Sequence, residues 1–183
     1  MRTTSKPAHL GLALVALLVS VVGCTDNPPR PPRTHAPVAL GPVEVTGVGD
    51  VAQGKVSGND LVLRFTEASP AAIAAGSGSF EVTLTDQSGS PDTIGFAGTP
   101  SIEAPGSLGA SVTLTGPNVL TVSIVDSDMF NIEPMTINGL GVRAAANAAL
   151  GSINGFISGC SGSLAGCTAL NELSSPGTVV AAH

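Results

Sequence analysis

Short runs in which apolar and polar residues alternate govern what this chain can fold into. Leu61, Leu63 and Phe65 are separated by Val62, Arg64 and Thr66. Phe80, Val82 and Leu84 alternate with Glu81, Thr83 and Thr85, and Leu120, Val122 and Ile124 with Thr121 and Ser123. Val43 and Val45, then Val112 and Leu114, show the same period. Met135 and Ile137 flank Thr136, Leu140 and Val142 flank Gly141, and Ile153 and Ile157 share one face with Gly155 between them. Successive side chains on a strand point to opposite faces, so a period of two builds a sheet with one apolar face. Each run is short and bounded by Gly, Pro, Asn, Asp or Ser, the residues that make turns. Two such sheets must cover each other's apolar faces. The sequence therefore predicts an all-β chain with a single antiparallel β-sandwich over residues 43–158.

Two stretches depart from this pattern. In Ser69-Pro70-Ala71-Ala72-Ile73-Ala74-Ala75-Gly76, Ser caps, Pro suits the first helical position, Ala propagates and Gly terminates. One short helical turn between two strands is expected there. Arg143 to Leu150 is Ala-rich but interrupted by Asn147. It reads as a strand running into a loop or as a short helix.

Composition narrows the function classes. Only 11% of the 183 residues are charged, and Trp and Tyr are absent. The formal charge is −6. From Gly41 onward the basic residues are Lys55, Arg64 and Arg143, too few for a basic patch, so nucleic acid and anionic lipid surfaces are not expected partners.

The N-terminus carries an address. Arg2 and Lys6 precede an uncharged stretch from Leu10 to Val22, and Gly23 stands directly before Cys24. As a helix, Leu10–Gly23 rises about 21 Å, short of the roughly 30 Å of a bilayer core. It reads as a secretory signal. Val21-Val22-Gly23-Cys24 resembles the end of a bacterial lipoprotein signal. That resemblance implies cleavage after residue 23 and a Cys24 carrying diacylglycerol and an N-acyl chain such as palmitate. Two or more chains hold a protein to a membrane where one does so marginally. A lipid-anchored protein of the bacterial cell envelope is expected, its domain facing the periplasm or the cell exterior. Thr25 in place of an acidic residue leans, by the same resemblance, toward export from the inner membrane. Residues 24–42 follow as a tether holding Pro28, Pro29, Pro31, Pro32, Pro37 and Pro42. At about 3.1 Å per residue in polyproline geometry, its 17 residues from Asp26 reach roughly 50 Å. A proline-rich ligand for a grooved partner is the alternative use.

The order of elements carries a second resemblance. Leu61–Ala68 leads through small residues into Ser79-Phe80-Glu81-Val82-Thr83-Leu84, and later come Val119–Ile124 and Met135-Thr136-Ile137-Asn138-Gly139-Leu140-Gly141-Val142. This progression is similar to β-sandwich modules of bacterial cell-surface and S-layer-type proteins, distantly similar to cohesin and immunoglobulin-like folds. The resemblance spans about residues 43–158. It implies a structural, adhesive or protein-interaction role and brings no active site with it. Such modules usually occur in tandem, whereas one copy is present here.

With Cys24 used for lipid, Cys160 and Cys167 remain as an even pair in a compartment that permits disulfides. Residues 159–183 are expected to form a disulfide loop and a weakly ordered tail, to which Thr178–Ala181 adds at most an edge strand. Asp126 and Asp128, with Glu133 nearby, are the weak candidates for oxygen ligands to Ca²⁺. Turn formation is the plainer use of those residues. Met129, Phe130 and Ile132 in the same connection either plug the open end of the sandwich or form a contact patch. Beyond residue 24 the histidines are His35 and His183 alone, so no nucleophile–base pair is expected within the domain. Lys55 beside Gly54 and Ser57 reads as a turn. Asp86 with Asp92 is a second carboxylate pair, without the aromatic platforms of a sugar cleft. No catalytic residues, metal or cofactor are expected. A small-ligand or carbohydrate-binding lipoprotein is the alternative to the interaction module.

Overall fold

The computed structural model describes residues 40–41, 43–67, 76–106, 108–126, 132–162, 164 and 172–183. The described residues contain no helix, and so none long and apolar enough to cross a membrane. Among the described residues ten strands follow one another: β1 Glu44–Thr46, β2 Asp50–Ala52, β3 Leu61–Thr66, β4 Gly76–Thr85, β5 Ile94–Glu103, β6 Leu108–Leu114, β7 Val119–Asp126, β8 Pro134–Ala144, β9 Gly151–Gly162 and β10 Glu172–Val180. They form a four-stranded sheet, β1-β3-β8-β5, and a six-stranded sheet, β2-β10-β9-β4-β7-β6.

The alternation in the sequence becomes the inner faces of these sheets. Leu61, Leu63 and Phe65 of β3 and Met135, Ile137, Leu140 and Val142 of β8 are all buried. From the other sheet, Phe80, Val82 and Leu84 of β4 and Leu120, Val122 and Ile124 of β7 are buried too. Each such side chain contributes about 1.5–3 kcal/mol by leaving water. The rings of Phe65 and Phe80 come from opposite sheets and meet with centroids 5.0 Å apart, tilted by 55°. That contact joins the two layers at mid-core.

β8 is one strand of 11 residues, not two runs. Ile137 and Leu140 differ in parity, yet both face inward, because the register slips between them. Leu63 pairs with Ile137 and Leu61 with Leu140, and across β5 the register shifts between Gly98 and Ser101. Gly98 and Gly139 have φ of +87° and +72° at this bulge. A Cβ on Gly139 would lie 2.6 Å from the Thr99 carbonyl oxygen. The two backbones approach this closely only because neither residue has a side chain.

The segment after β9 corrects one expectation. β9 runs on to Gly162, and Glu172–Val180 is not a loose tail but an interior strand between β9 and β2. Gly155 explains the docking, because Leu173 of β10 packs into the space where a Cβ would stand, its nearest atom 2.7 Å away. The sheets are not wholly antiparallel either, since β2 and β10 pair in parallel, with Asp50 opposite Thr178 and Ala52 opposite Val180. The Ala-rich stretch resolves as strand into loop: β8 ends at Ala144, and Ala145–Leu150 turns back to β9. Of the expected helical turn, residues 69–75 lie outside the described residues, and Gly76 begins β4.

Candidate functional site

The polar half of each alternating strand faces away from the core, and on the six-stranded sheet these halves align. Ser111 of β6 pairs with Ser123 of β7, Ser123 with Ser79 of β4, and Ser79 with Ser161 of β9. This gives a row of four serines across four strands. Thr113, Thr121, Glu81 and Ser158 form the next row, two residues along on β6, β7 and β4 and three along on β9, where the register shifts. The hydroxyls bond laterally: Ser79 to Ser161 at 2.7 Å and Thr115 to Thr121 at 2.8 Å. A shallow hollow of about 320 Å³ lies over this face, lined by Ser77, Ser79, Ser123, Ile124, Val125, Ser161 and the side-chain-free Gly78 and Gly162. Val125 at its edge is 55% exposed.

This surface is flat, rich in hydroxyls and poor in charge. Short Ser and Thr side chains lose little conformational entropy when covered. Charge is depleted at the centres of protein interfaces, as it is on this face, although such centres draw on aromatic residues more than on serine.

The sandwich end beyond β4 is built around Asp86, whose side chain is 1% exposed. One carboxylate oxygen accepts from the Ser88 N–H at 2.9 Å, the Ser88 hydroxyl at 2.6 Å and the Ser90 N–H at 3.0 Å. The other accepts from the Thr93 hydroxyl at 2.7 Å and the Ala149 N–H at 2.9 Å. Burial alone pushes this carboxyl up. The bonds from Ser88, Ala149, Thr93 and Ser90 outweigh it and hold the group well below the usual carboxylate range. Asp86 therefore ties the β4–β5 turn to the loop before β9, a structural task. Asp92, its expected companion, is exposed. The anticipated carboxylate pair is thus one buried anchor and one surface residue. A second hollow, about 280 Å³, lies at this end beside Asp92, Thr93, Pro117 and Arg143.

The other residues singled out in the sequence are scattered. Cys24, Asp128, Met129, Phe130 and Cys167 lie outside the described residues. Asp126 ends β7, and Ile132 of the anticipated contact patch is 50% exposed. Glu133 is 2% exposed, packed beside the equally buried Glu67, and the Glu133 N–H donates to a Glu67 carboxylate oxygen at 3.0 Å. Among the described residues no three His, Cys, Asp or Glu side chains are grouped to hold a metal ion. Cys160 is half-buried near the end of β9 and packs against the core. Ser57 is spent on the backbone: its hydroxyl donates to the Asn59 carbonyl at 2.8 Å and accepts from the Val142 N–H at 3.0 Å.

No family model matches the chain, and no curated protein does. Among solved structures it is similar to the sixth cohesin of scaffoldin B from Acetivibrio cellulolyticus, in complex with a Cel5 dockerin double mutant. Identity is 14% and the TM-score 0.42, over 77% of this chain and 97% of that one. It is also similar to a non-cellulosomal cohesin from the hyperthermophilic archaeon Archaeoglobus fulgidus, at 13% identity and a TM-score of 0.41, over 78% of this chain and 93% of that one. Both neighbours are cohesins, and the sandwich described above stands on this chain's own strand pairing.

Proposed function

We propose that this chain is a lipid-anchored cell-envelope protein whose β-sandwich engages a protein partner through the outer face of the six-stranded sheet. The observation that carries the reading is the serine row Ser111–Ser123–Ser79–Ser161, continuous across four strands with the hollow beside it. The anchoring part rests on the sequence, with Arg2, Lys6, the apolar Leu10–Val22 and Cys24 supplying the lipoprotein-like signal. The proline-rich stretch to residue 42 would then set the domain off from the membrane. A Cys160–Cys167 bridge belongs to the same reading. It would close a small loop from the end of β9 and add roughly 2–3 kcal/mol.

A photo-crosslinking residue at position 123 of the full chain, expressed in its host, tests the partner face. The expected result is one discrete adduct that disappears when Ser79→Arg is added. The same probe at Val56, exposed on the other sheet's side, should give none. Equal labelling from both positions, or an adduct indifferent to Ser79→Arg, overturns the face. Displacement by soluble sugars without any protein adduct would favour the carbohydrate alternative. For the anchor, Cys24→Ser should abolish labelling by palmitate and leave the precursor uncleaved.

A further inference from the structure

A sandwich of two open sheets has four edge strands, and each exposes unpaired backbone N–H and C=O groups that invite another strand. Among the described residues, three of the four edges are blunted. β1 and β2 have three residues each and carry Glu44 and Asp50. β5 holds Pro100 and Glu103, is bulged between Gly98 and Ser101, and gives its Phe96 N–H to the Pro117 carbonyl at 2.7 Å.

β6 has none of these devices. Leu108-Gly109-Ala110-Ser111-Val112-Thr113-Leu114 contains no charge and no proline, and its seven pairs with β7 run without a bulge. The Thr115 N–H donates to the Val119 carbonyl at 3.0 Å. In an antiparallel ladder bonded pairs alternate, so Gly109, Ser111 and Thr113 bond to β7, and Ala110, Val112 and Leu114 turn their N–H and C=O groups to the open side. Among the described residues no backbone group meets them there. The side chains of these three residues are packed against the core yet only half-buried.

We propose that β6 pairs antiparallel with β6 of a second copy of this chain, joining two six-stranded sheets edge to edge about a two-fold axis at Ser111. The strand is self-complementary in this register. Ala110 meets the partner copy's Val112 and Leu108 meets Leu114 on the core side, while Gly109 meets Thr113 and Ser111 meets Ser111 outside. No like charges are opposed, and a closed two-fold contact uses the same patch on both copies. The open groups supply about six interstrand hydrogen bonds. This inference does not need the partner face to be occupied, since its hydrogen bonds come from the backbone of the strand's edge, although Ser111 at the axis also belongs to the serine row.

Cysteine substitution in the full chain, in its host membrane, tests the register. Across a non-bonded antiparallel pair the Cα atoms stand about 4.5 Å apart, within disulfide range. Ser111→Cys is therefore expected to yield a covalent dimer on mild oxidation. Thr113→Cys is not, because its two copies sit about 13 Å apart along the strands. Adding Val112→Pro to Ser111→Cys removes an outward N–H that the fold does not use, as edge strands allow. It should cut the cross-linked yield by about tenfold or more while far-ultraviolet circular dichroism still shows the native melt. Three results overturn the proposal: equal cross-linking by the two cysteine variants, a yield untouched by Val112→Pro with the fold intact, or Ser111→Cys joined to a different protein in place of itself.

Discussion

Asp86→Asn isolates what one buried carboxylate does for this sandwich. The side chain accepts five hydrogen bonds, three at one oxygen and two at the other. A carboxamide keeps one accepting oxygen and turns the second into a donor. If the oxygen stays with Ser88 and Ser90, three charge-assisted bonds become neutral ones of about half the strength. The new NH₂ then faces the Ala149 N–H, leaving a buried donor unmet at a cost of about 1–3 kcal/mol. The Thr93 hydroxyl escapes, because it also lies 3.1 Å from the Ser90 carbonyl and can turn to it. The net loss is about 2–4 kcal/mol, or on the order of 5–15 °C in Tm for a domain of this size. With no Trp or Tyr to report by fluorescence, far-ultraviolet circular dichroism is the assay.

The pH dependence has a definite sign. A carboxyl whose folded value is depressed stabilises the fold above its unfolded value, near 3.8, and that contribution fades as pH falls through the folded value. The gap between wild type and Asp86→Asn should therefore be full at neutral pH, begin to close below about pH 5 and remain partly open at pH 2. A variant within about 0.5 kcal/mol of wild type at pH 7, or a gap that widens on acidification, refutes this account of Asp86.

Three further outcomes follow from the packing. A chain ending at residue 171 loses β10, uncovers β9 from Gly151 to Phe156 and leaves β2 without its sheet partner, so it should show no cooperative melt. Gly139→Ala forces a Cβ toward the Thr99 carbonyl at a φ of +72° and should cost about 2–4 kcal/mol in urea unfolding. Arg64→Ala breaks the 3.3 Å ion pair with Glu44, but both side chains are more than half exposed, so its effect should stay under about 1 kcal/mol and vanish in high salt.

The strands legible in the sequence were those whose alternation ran unbroken. β3, β4, β6 and β7 read directly because every second residue is buried or half-buried against one core. β5 was hidden because Gly95, Gly98 and Pro100 interrupt its pattern, and the bulge absorbs the interruption only in three dimensions. Only the end of β10, Thr178–Val180, was legible, and as an edge strand at most, because Ser174-Ser175-Pro176-Gly177 breaks the alternation and is absorbed as a register shift between Leu173 and Gly177 within one strand. Asp86 illustrates the limit for sites. Its partners Ser88, Ser90 and Thr93 lie within seven residues of it, but the Ala149 N–H arrives from 63 residues away and no local spacing announces it. Of the serine row, Ser123 stood in the polar half of an alternation, whereas Ser161 fell in the expected disulfide loop. The row's continuity depends on strand order, which alternation does not encode.

The parallel pairing of β2 with β10 gives the sandwich a direction in which it resists tension. Val48 N–H to Pro176 carbonyl, Thr178 N–H to Gly49 carbonyl and Gln53 N–H to Val180 carbonyl lace the earliest and latest strands of the six-stranded sheet side by side. Pulled from opposite ends of the chain, these strands must slide past each other and break their bonds together, whereas a hairpin would unzip one rung at a time. A protein loaded between its two termini would thus meet the pull in shear, the geometry in which a short ladder is strongest.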